Sequence, residues 1–169
     1  MTETGVLTNF FDVEPDDPEY IPGSLGRPAP CVLLKVVDIN TGENLGPNID
    51  GEICAKGETL FSGYLNNSSA YEEAFDRKGW FHTGDVGHYD NENRFYITDR
   101  LKEIIKFGTK QVSPTELEQL LLTHSSVAEV AVVGVRHKID TQWPRAYVKT
   151  KPDVSVSEEE LRKYVSGLI

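Results

Sequence analysis

Residues 82–100 read HTGDVGHYDNENRFYITDR. Two alternating runs, GDVGHYD and RFYITDR, flank the polar turn residues NEN, and period-two alternation on both sides of a short polar loop is the pattern of an antiparallel hairpin. This reading makes Asp85 the residue that opens the first hairpin strand, while Asp99 and Arg100 close the second. A two-stranded ribbon then returns a carboxylate and a guanidinium, fifteen places apart in the chain, to the same end.

The hairpin sits at the end of a β-rich half. VLLKVVD at 32–38 and GEICAKG at 51–57 read as strands, separated by a turn through Asn40, Thr41 and Gly42 and followed by the turn FSGYLNN. Residues 68–75 suit a short helix. The first thirty residues carry Pro15, Pro18, Pro22, Pro28 and Pro30 with Gly23 and Gly26, which block regular elements and predict an extended, turning connector. After Arg100 the pattern changes. Ser113-Pro114-Thr115-Glu116 is a capping box with proline at the first helical position, and Leu117, Leu120 and Leu121 add an apolar stripe, so a helix runs from 114 to about 123. VAEVAVVGV at 127–135 reads as a strand buried on both faces, with RAYVKT at 145–150 beside it. Ser157 to Glu160 form a second capping box before Leu161, Tyr164, Val165 and Leu168. The expected fold class is α+β, with a boundary near 99–102 and no internal repeat.

Composition narrows the function classes. At 169 residues, with 38% hydrophobic and 26% charged side chains, the chain is long enough to bury a core. A formal net charge of −10 argues against a nucleic-acid backbone or anionic membrane as partner, because both need a positive contact surface. No apolar run reaches membrane-spanning length, and MTETGVLTNFFDVEPDD lacks the features of a secretion signal, so an intracellular setting is expected. Cys31 and Cys54 stand in apolar runs without a CxxC and read as reduced packing residues. His82, His88, His124 and His137 show neither HxxxH nor HExxH spacing, so a protein-held metal site is not expected from them. Neither GxGxxG nor GxxxxGK[ST] occurs, and no phosphate cradle announces itself.

Asp85 is the residue with the most chemistry to offer. One carboxylate has two acceptor oxygens and can hold two vicinal hydroxyls at once, and Gly84 before it lets the backbone come close to a ligand. The competing reading of Thr83-Gly84-Asp85 is an Asx-type turn, the commoner use of such residues.

The run GEICAKGETLFSGYLNN, then GWFHTGD, then FYITDRLKEIIKFGTKQVSPTELE resembles the adenylate-forming superfamily, which includes acyl-CoA synthetases, 4-coumarate ligase and firefly luciferase. MTETG resembles that family's Y-G-x-T-E signature, entered after its first two residues. The resemblance implies a C-terminal fragment truncated at both ends: residues 1–98 as the β-rich, barrel-like end of the large AMP-binding lobe, 99–102 as a hinge, and 103–169 as an incomplete small α/β lobe. It implies an ATP-dependent acid ligase that forms an acyl-adenylate and passes the acyl group to a thiol such as coenzyme A, with ATP or AMP and Mg²⁺ as cofactors and a small carboxylic acid as substrate. A luciferase-like monooxygenase and a non-catalytic binding module are the rival readings.

Residue by residue, the resemblance gives Thr2 to the adenylate phosphate, Glu3 to the metal, Asp85 to the ribose hydroxyls, and Arg100 to the ribose and phosphate region. Asp99 and Lys102 belong to the hinge, and Lys106 faces the site in the second-step orientation. One departure bears on the acceptor. KFGTKQV puts Gly108 one residue early and Thr109 where glycine is expected, and a threonine there would crowd a pantetheine arm, which counts against coenzyme A. The family's phosphate loop would lie upstream of Met1 and its adenylation lysine downstream of Ile169, so the chain alone is expected not to adenylate and would need the large lobe as partner. The ending SGLI is not a peroxisomal S-K-L signal, which leaves cytoplasm or peroxisome open.

Overall fold

The structure is a computed structural model and describes residues 1–9, 21–139 and 141–167. Pro15, Pro18 and Leu168 lie outside the described residues. The chain divides into two compact units, Met1–Leu101 and Lys102–Ile169.

The first unit is built on β3 (Val32–Val37), β4 (Gly51–Gly57), β5 (Phe81–Tyr89) and β6 (Phe95–Arg100), after a two-residue ribbon of β1 (Thr8–Asn9) and β2 (Arg27–Pro28). The four main strands pair antiparallel in chain order, so β3 and β6 are the edges of an open sheet. The resemblance implied a barrel-like end; the observed sheet does not close. Central β4 buries Gly51 through Ala55 without a break, as a strand covered on both faces must. Val36, Ile53 and Phe95 make the core on one side, with Leu34, Leu45 and Tyr89 against it. Phe61, Tyr71, Phe75 and Phe81 form an aromatic cluster, with Phe61 5.4 Å from Tyr71 and 5.6 Å from Phe81 between ring centroids. That cluster anchors α1 (Ser68–Glu73), whose first turn is capped by the Asn67 side chain accepting from the Ala70 N–H. Cys54 is buried as expected, but Cys31 is exposed in a left-handed turn at φ 68°, because the apolar run that should bury it begins one residue later.

The second unit contains β7 (Ile105–Phe107), β8 (Lys110–Val112), α2 (Pro114–Leu122), β9 (Val127–His137), β10 (Thr141–Thr150) and α3 (Glu158–Ser166). The sheet order is β8-β7-β10-β9, antiparallel at every pairing. Both helices start at the serines foreseen: Ser113 accepts the Glu116 N–H and Ser157 the Glu160 N–H. Ile105, Leu121 and Val132 form the core, joined by Leu117, Leu161 and Val165. Strand β9 corrects one expectation. It is covered on one face only, with Val132 buried and its neighbour Val133 43% exposed, because its partner is the long antiparallel β10 and not a parallel neighbour between helix layers. An extra residue, Ala128, lies where the register shifts between Lys149 and Thr150, and this bulge lets Val127 share the buried side with Val132.

The β7–β8 hairpin was not foreseen as a hairpin. Phe107 pairs with Lys110 across a two-residue loop, Gly108-Thr109, and positive φ falls on the first loop residue alone, the requirement of a II′-type turn. The early glycine that departs from the family pattern is thus the residue this turn needs.

Candidate functional site

Asp85 is the fifth residue of the nine-residue β5 and does not open it. Its surroundings follow from the register. On the β4 side, Glu52 pairs with Val86 and Cys54 with His82, so Ile53 alone stands opposite Thr83, Gly84 and Asp85. Two extra residues on one strand make a pronounced bulge, the device by which a sheet re-aims a side chain. Gly84, at φ 72°, supplies the left-handed residue the bulge requires.

Four backbone groups at the bulge are held by hydrogen bonds. The Thr83 hydroxyl donates to the Ile53 carbonyl at 2.7 Å and accepts the Asp85 N–H at 3.1 Å. Glu52 accepts the Gly84 N–H through Oε1 at 3.2 Å, and the Leu101 N–H donates to the Gly84 carbonyl at 2.8 Å. Glu52 is itself oriented, its Oε2 lying 2.7 Å from His82 Nδ1. The local turn reading is therefore met by Thr83, while the Asp85 carboxylate points elsewhere.

It points at Arg100. The two residues are direct partners across β5 and β6, and Arg100 Nε lies 3.0 Å from Asp85 Oδ1. The carboxylate is 14% exposed and the guanidinium 58%, which sets a nearly buried acceptor beneath a solvent-facing donor. Such a half-exposed pair contributes little to stability by itself, so its geometry matters more than its energy. A second shift in register, with Thr98 extra on β6 and its hydroxyl donating to the Val86 carbonyl at 3.3 Å, is what brings Arg100 level with Asp85.

The remaining expected residues stand in other surroundings. Glu3 accepts from the Tyr64 hydroxyl at 3.1 Å, and its carbonyl accepts the Phe61 N–H, which ties the MTETG segment to the SGYLNN turn. Burial raises the Tyr64 pKa, and the hydrogen bond to Glu3 and that carboxylate's charge add to it, so the phenol stays a donor. Thr2 is exposed in the same turn, two residues before the fully buried Thr4. Asp99 is 5% exposed inside β6, paired with Val86, and its Oδ1 accepts the Arg100 N–H at 2.6 Å. Lys102 lies exposed in the turn that follows Leu101, at the division between the units. In the second unit Lys106 is exposed on β7 opposite Gln111, with its N–H donating to Gln142 Oε1 at 2.8 Å.

Sequence reasoning missed Glu52, Thr83 and His82. The signal was present in part, since GEIC and HTGD are both punctuated by glycine and polar residues inside apolar strands, but which acid meets which amide depends on pairing between residues 30 to 32 places apart.

Comparison with known proteins finds relatives along this whole chain. Residues 1–65 match the family described as AMP-binding enzyme, and residues 116–169 match the AMP-binding enzyme C-terminal domain. A luciferin 4-monooxygenase of Nipponoluciola cruciata is 40% identical over 169 residues, covering 100% of this chain and 30% of that protein. The 4-coumarate–CoA ligase 1 of Oryza sativa subsp. japonica is 39% identical over 168 residues, with 98% of this chain and 30% of the relative covered. Among solved structures, ATP-bound MatB from Rhodopseudomonas palustris superposes at a TM-score of 0.88 with 30% identity, over 100% of this chain and 33% of that one. The O-succinylbenzoate coenzyme A synthetase MenE from Bacillus subtilis, in complex with AMP, gives 0.70 with 35% identity over 87% of this chain and 29% of that one. The chain thus spans about 30% of the length of these curated relatives. With matches at both ends, similarity to such relatives over the whole of this chain and a shared fold, the chain belongs to the adenylate-forming, AMP-binding enzyme family.

Proposed function

We propose that this chain carries the ribose-binding edge and the mobile small lobe of an ATP-dependent acid ligase. In that reaction a small carboxylic acid attacks the α-phosphorus of MgATP, the bond to pyrophosphate breaks, and the resulting acyl-adenylate passes its acyl group to a thiol. The observation that carries the reading is the cross-strand pair of a nearly buried Asp85 and an exposed Arg100 beside a bulge held through Thr83 and Glu52.

Each residue has a chemical task. Asp85 accepts from both ribose hydroxyls, and its low exposure keeps water from competing. Arg100 leaves one carboxylate oxygen to the sugar and turns its planar fork toward ribose and phosphate oxygens, a movement its exposed position permits. Thr2 donates to the adenylate phosphate. Glu3 fits a magnesium ion, since such ions take one or two carboxylates from the protein and the rest of their oxygens from phosphate and water; when bound, the ion neutralises phosphate charge. Asp99 and Lys102 flank the division between the two units, which supports a hinge there. Lys106 serves the second orientation, in which the β7–β8 hairpin meets the acceptor; Thr109 in its loop favours a thiol less bulky at that point than coenzyme A.

Calorimetric titration of the purified chain with AMP tests this reading. Asp85→Ala is expected to weaken binding by at least about tenfold, and Arg100→Ala by less, because the buried acceptor has no substitute. Equal affinity of the Asp85→Ala variant and the unaltered chain would sink the ribose assignment. Pyrophosphate exchange, with the large lobe of a relative supplied separately, then tests the ligase step.

A further inference from the structure

Behind the bulge, one face of β4 and β5 gathers three side chains that the nucleotide reading does not use as ligands. Glu52 and Cys54 are two apart on β4 and share a face, and His82 is the direct cross-strand partner of Cys54. Candidate donor atoms of Glu52, Cys54 and His82 all lie within 4.8 Å of one another. Cys54 Sγ is 3.7 Å from His82 Nδ1, and Glu52 Oε2 is 2.7 Å from the same nitrogen.

These spacings can be compared with a tetrahedral ion. Bonds of about 2.3 Å to sulfur and about 2.0 Å to nitrogen or oxygen set neighbouring donors roughly 3.3 to 3.6 Å apart. The sulfur–nitrogen separation is already of that size, and the oxygen–nitrogen pair must open by less than about 1 Å. Cys54 is fully buried and the Glu52 carboxylate is 10% exposed, whereas the His82 ring is 36% exposed and marks the way in. Lys35, the cross-strand partner of Cys54 on its other side, is compensated by Asp76 at 3.6 Å and lies over the Trp80 ring.

We infer that Glu52, Cys54 and His82 form a binding site for a zinc-type divalent cation, with three protein ligands and a fourth position open toward solvent. The spacing rule that excluded a histidine-based site applies to ligands within one helix or loop and does not reach three ligands on two paired strands. Burial, and then the Glu52 charge, hold the free thiol neutral up to about 12, so the ion must displace its proton to bulk water as the sulfur–metal bond forms. His82 moves its remaining proton to Nε2 and binds through Nδ1. Glu52 contributes Oε2 and keeps Oε1 on the Gly84 N–H, so the ion and the bulge share one carboxylate.

Titrating the full chain with zinc against a chromophoric chelator, and with cobalt as a spectroscopic probe, tests the site. A Cys31→Ser background removes the exposed thiol. One bound equivalent is expected, with a thiolate-to-cobalt charge-transfer band that Cys54→Ser abolishes and a zinc affinity that His82→Asn lowers by at least about tenfold. Should Cys54→Ser lose its circular dichroism melt, His82→Asn at the half-exposed ligand carries the test alone. Absence of binding at micromolar zinc, a cobalt spectrum without the thiolate band, or affinity unchanged in His82→Asn would each overturn the assignment. All of these readouts are independent of nucleotide binding, so they stand or fall apart from the ligase reading.

Discussion

The β5–β6 and β9–β10 hairpins are both antiparallel ribbons, and each carries one register shift, yet they use their irregularity in opposite ways. In β9–β10 the shift lies at the far end, between Lys149 and Thr150, and nine consecutive pairs beyond it run regularly from Lys149 back to Thr141. In β5–β6 it falls between Val86 and Gly87, beside Asp85, while the other edge of β5 bulges opposite Ile53. The first ribbon is scaffold and the second is a site. The difference teaches that long regular pairing builds a surface, whereas two shifts on either edge of one strand lift a short segment out of the ladder and fix it by side-chain bonds.

Glycine substitution breaks that comparison most directly. A methyl group at Gly87 would run into the Tyr96 carbonyl oxygen, which is backbone and cannot yield without opening β5–β6. Gly87→Ala is expected to destabilise the first unit by about 3 kcal/mol. The two tryptophans make this measurable, since Trp80 reports on the first unit and Trp143 on the second in urea unfolding followed by fluorescence of single-tryptophan variants. A Trp80 transition unmoved by Gly87→Ala would show that the ladder is not tight at that point.

Loss of the Ser113 cap sharpens the other side. Ser113→Ala removes the acceptor for the Glu116 N–H at the start of α2 and is expected to lower the Trp143 transition by about 1 kcal/mol. A smaller effect is expected at Gly134 in β9. There the atoms nearest an added methyl group belong to the Gln142 side chain, at 3.0 Å, and a flexible amide can move aside. Gly134→Ala should cost less than about 1 kcal/mol, the loss being the weakened bond from the Lys106 N–H to Gln142. An effect as large as that of Gly87→Ala would remove the contrast between the two hairpins.

Acid provides the smallest and most diffuse test. Asp38 is held below its ordinary value of 3.8 by the N–H groups of Thr41 and Asn40. Burial pushes Asp76 and Asp90 up, but the N–H groups of Trp80 and Lys78, and of Arg94 and Glu92, outweigh it and leave both below 3.8. A carboxylate depressed in the folded state stabilises above its unfolded pKa and loses that contribution as pH falls through the folded value. All three lie in the first unit, so the Trp80 transition should weaken below about pH 4 before the Trp143 transition does. The effect is small because these carboxylates are close to water.

The amino-acid order alone determined most of the elements. Strands β3 and β4, the hairpin from Asp85 to Arg100, the capped helices after Ser113 and Ser157, and the family motifs that run through them were all legible, because alternation, caps and turn residues act within a few positions. What it left open was register and cover. VAEVAVVGV is apolar enough for a doubly buried strand, and only the β10 partner decided that one face stays exposed. Thr83-Gly84-Asp85 reads as a turn in one dimension, and becomes a bulge held by Glu52 only when β4 aligns with β5 and leaves Ile53 facing three residues. The physical reason is range: side-chain periodicity and capping are local, whereas the offset between two strands is a property of the packed sheet, fixed jointly by hydrogen bonds and burial over segments that the chain holds far apart.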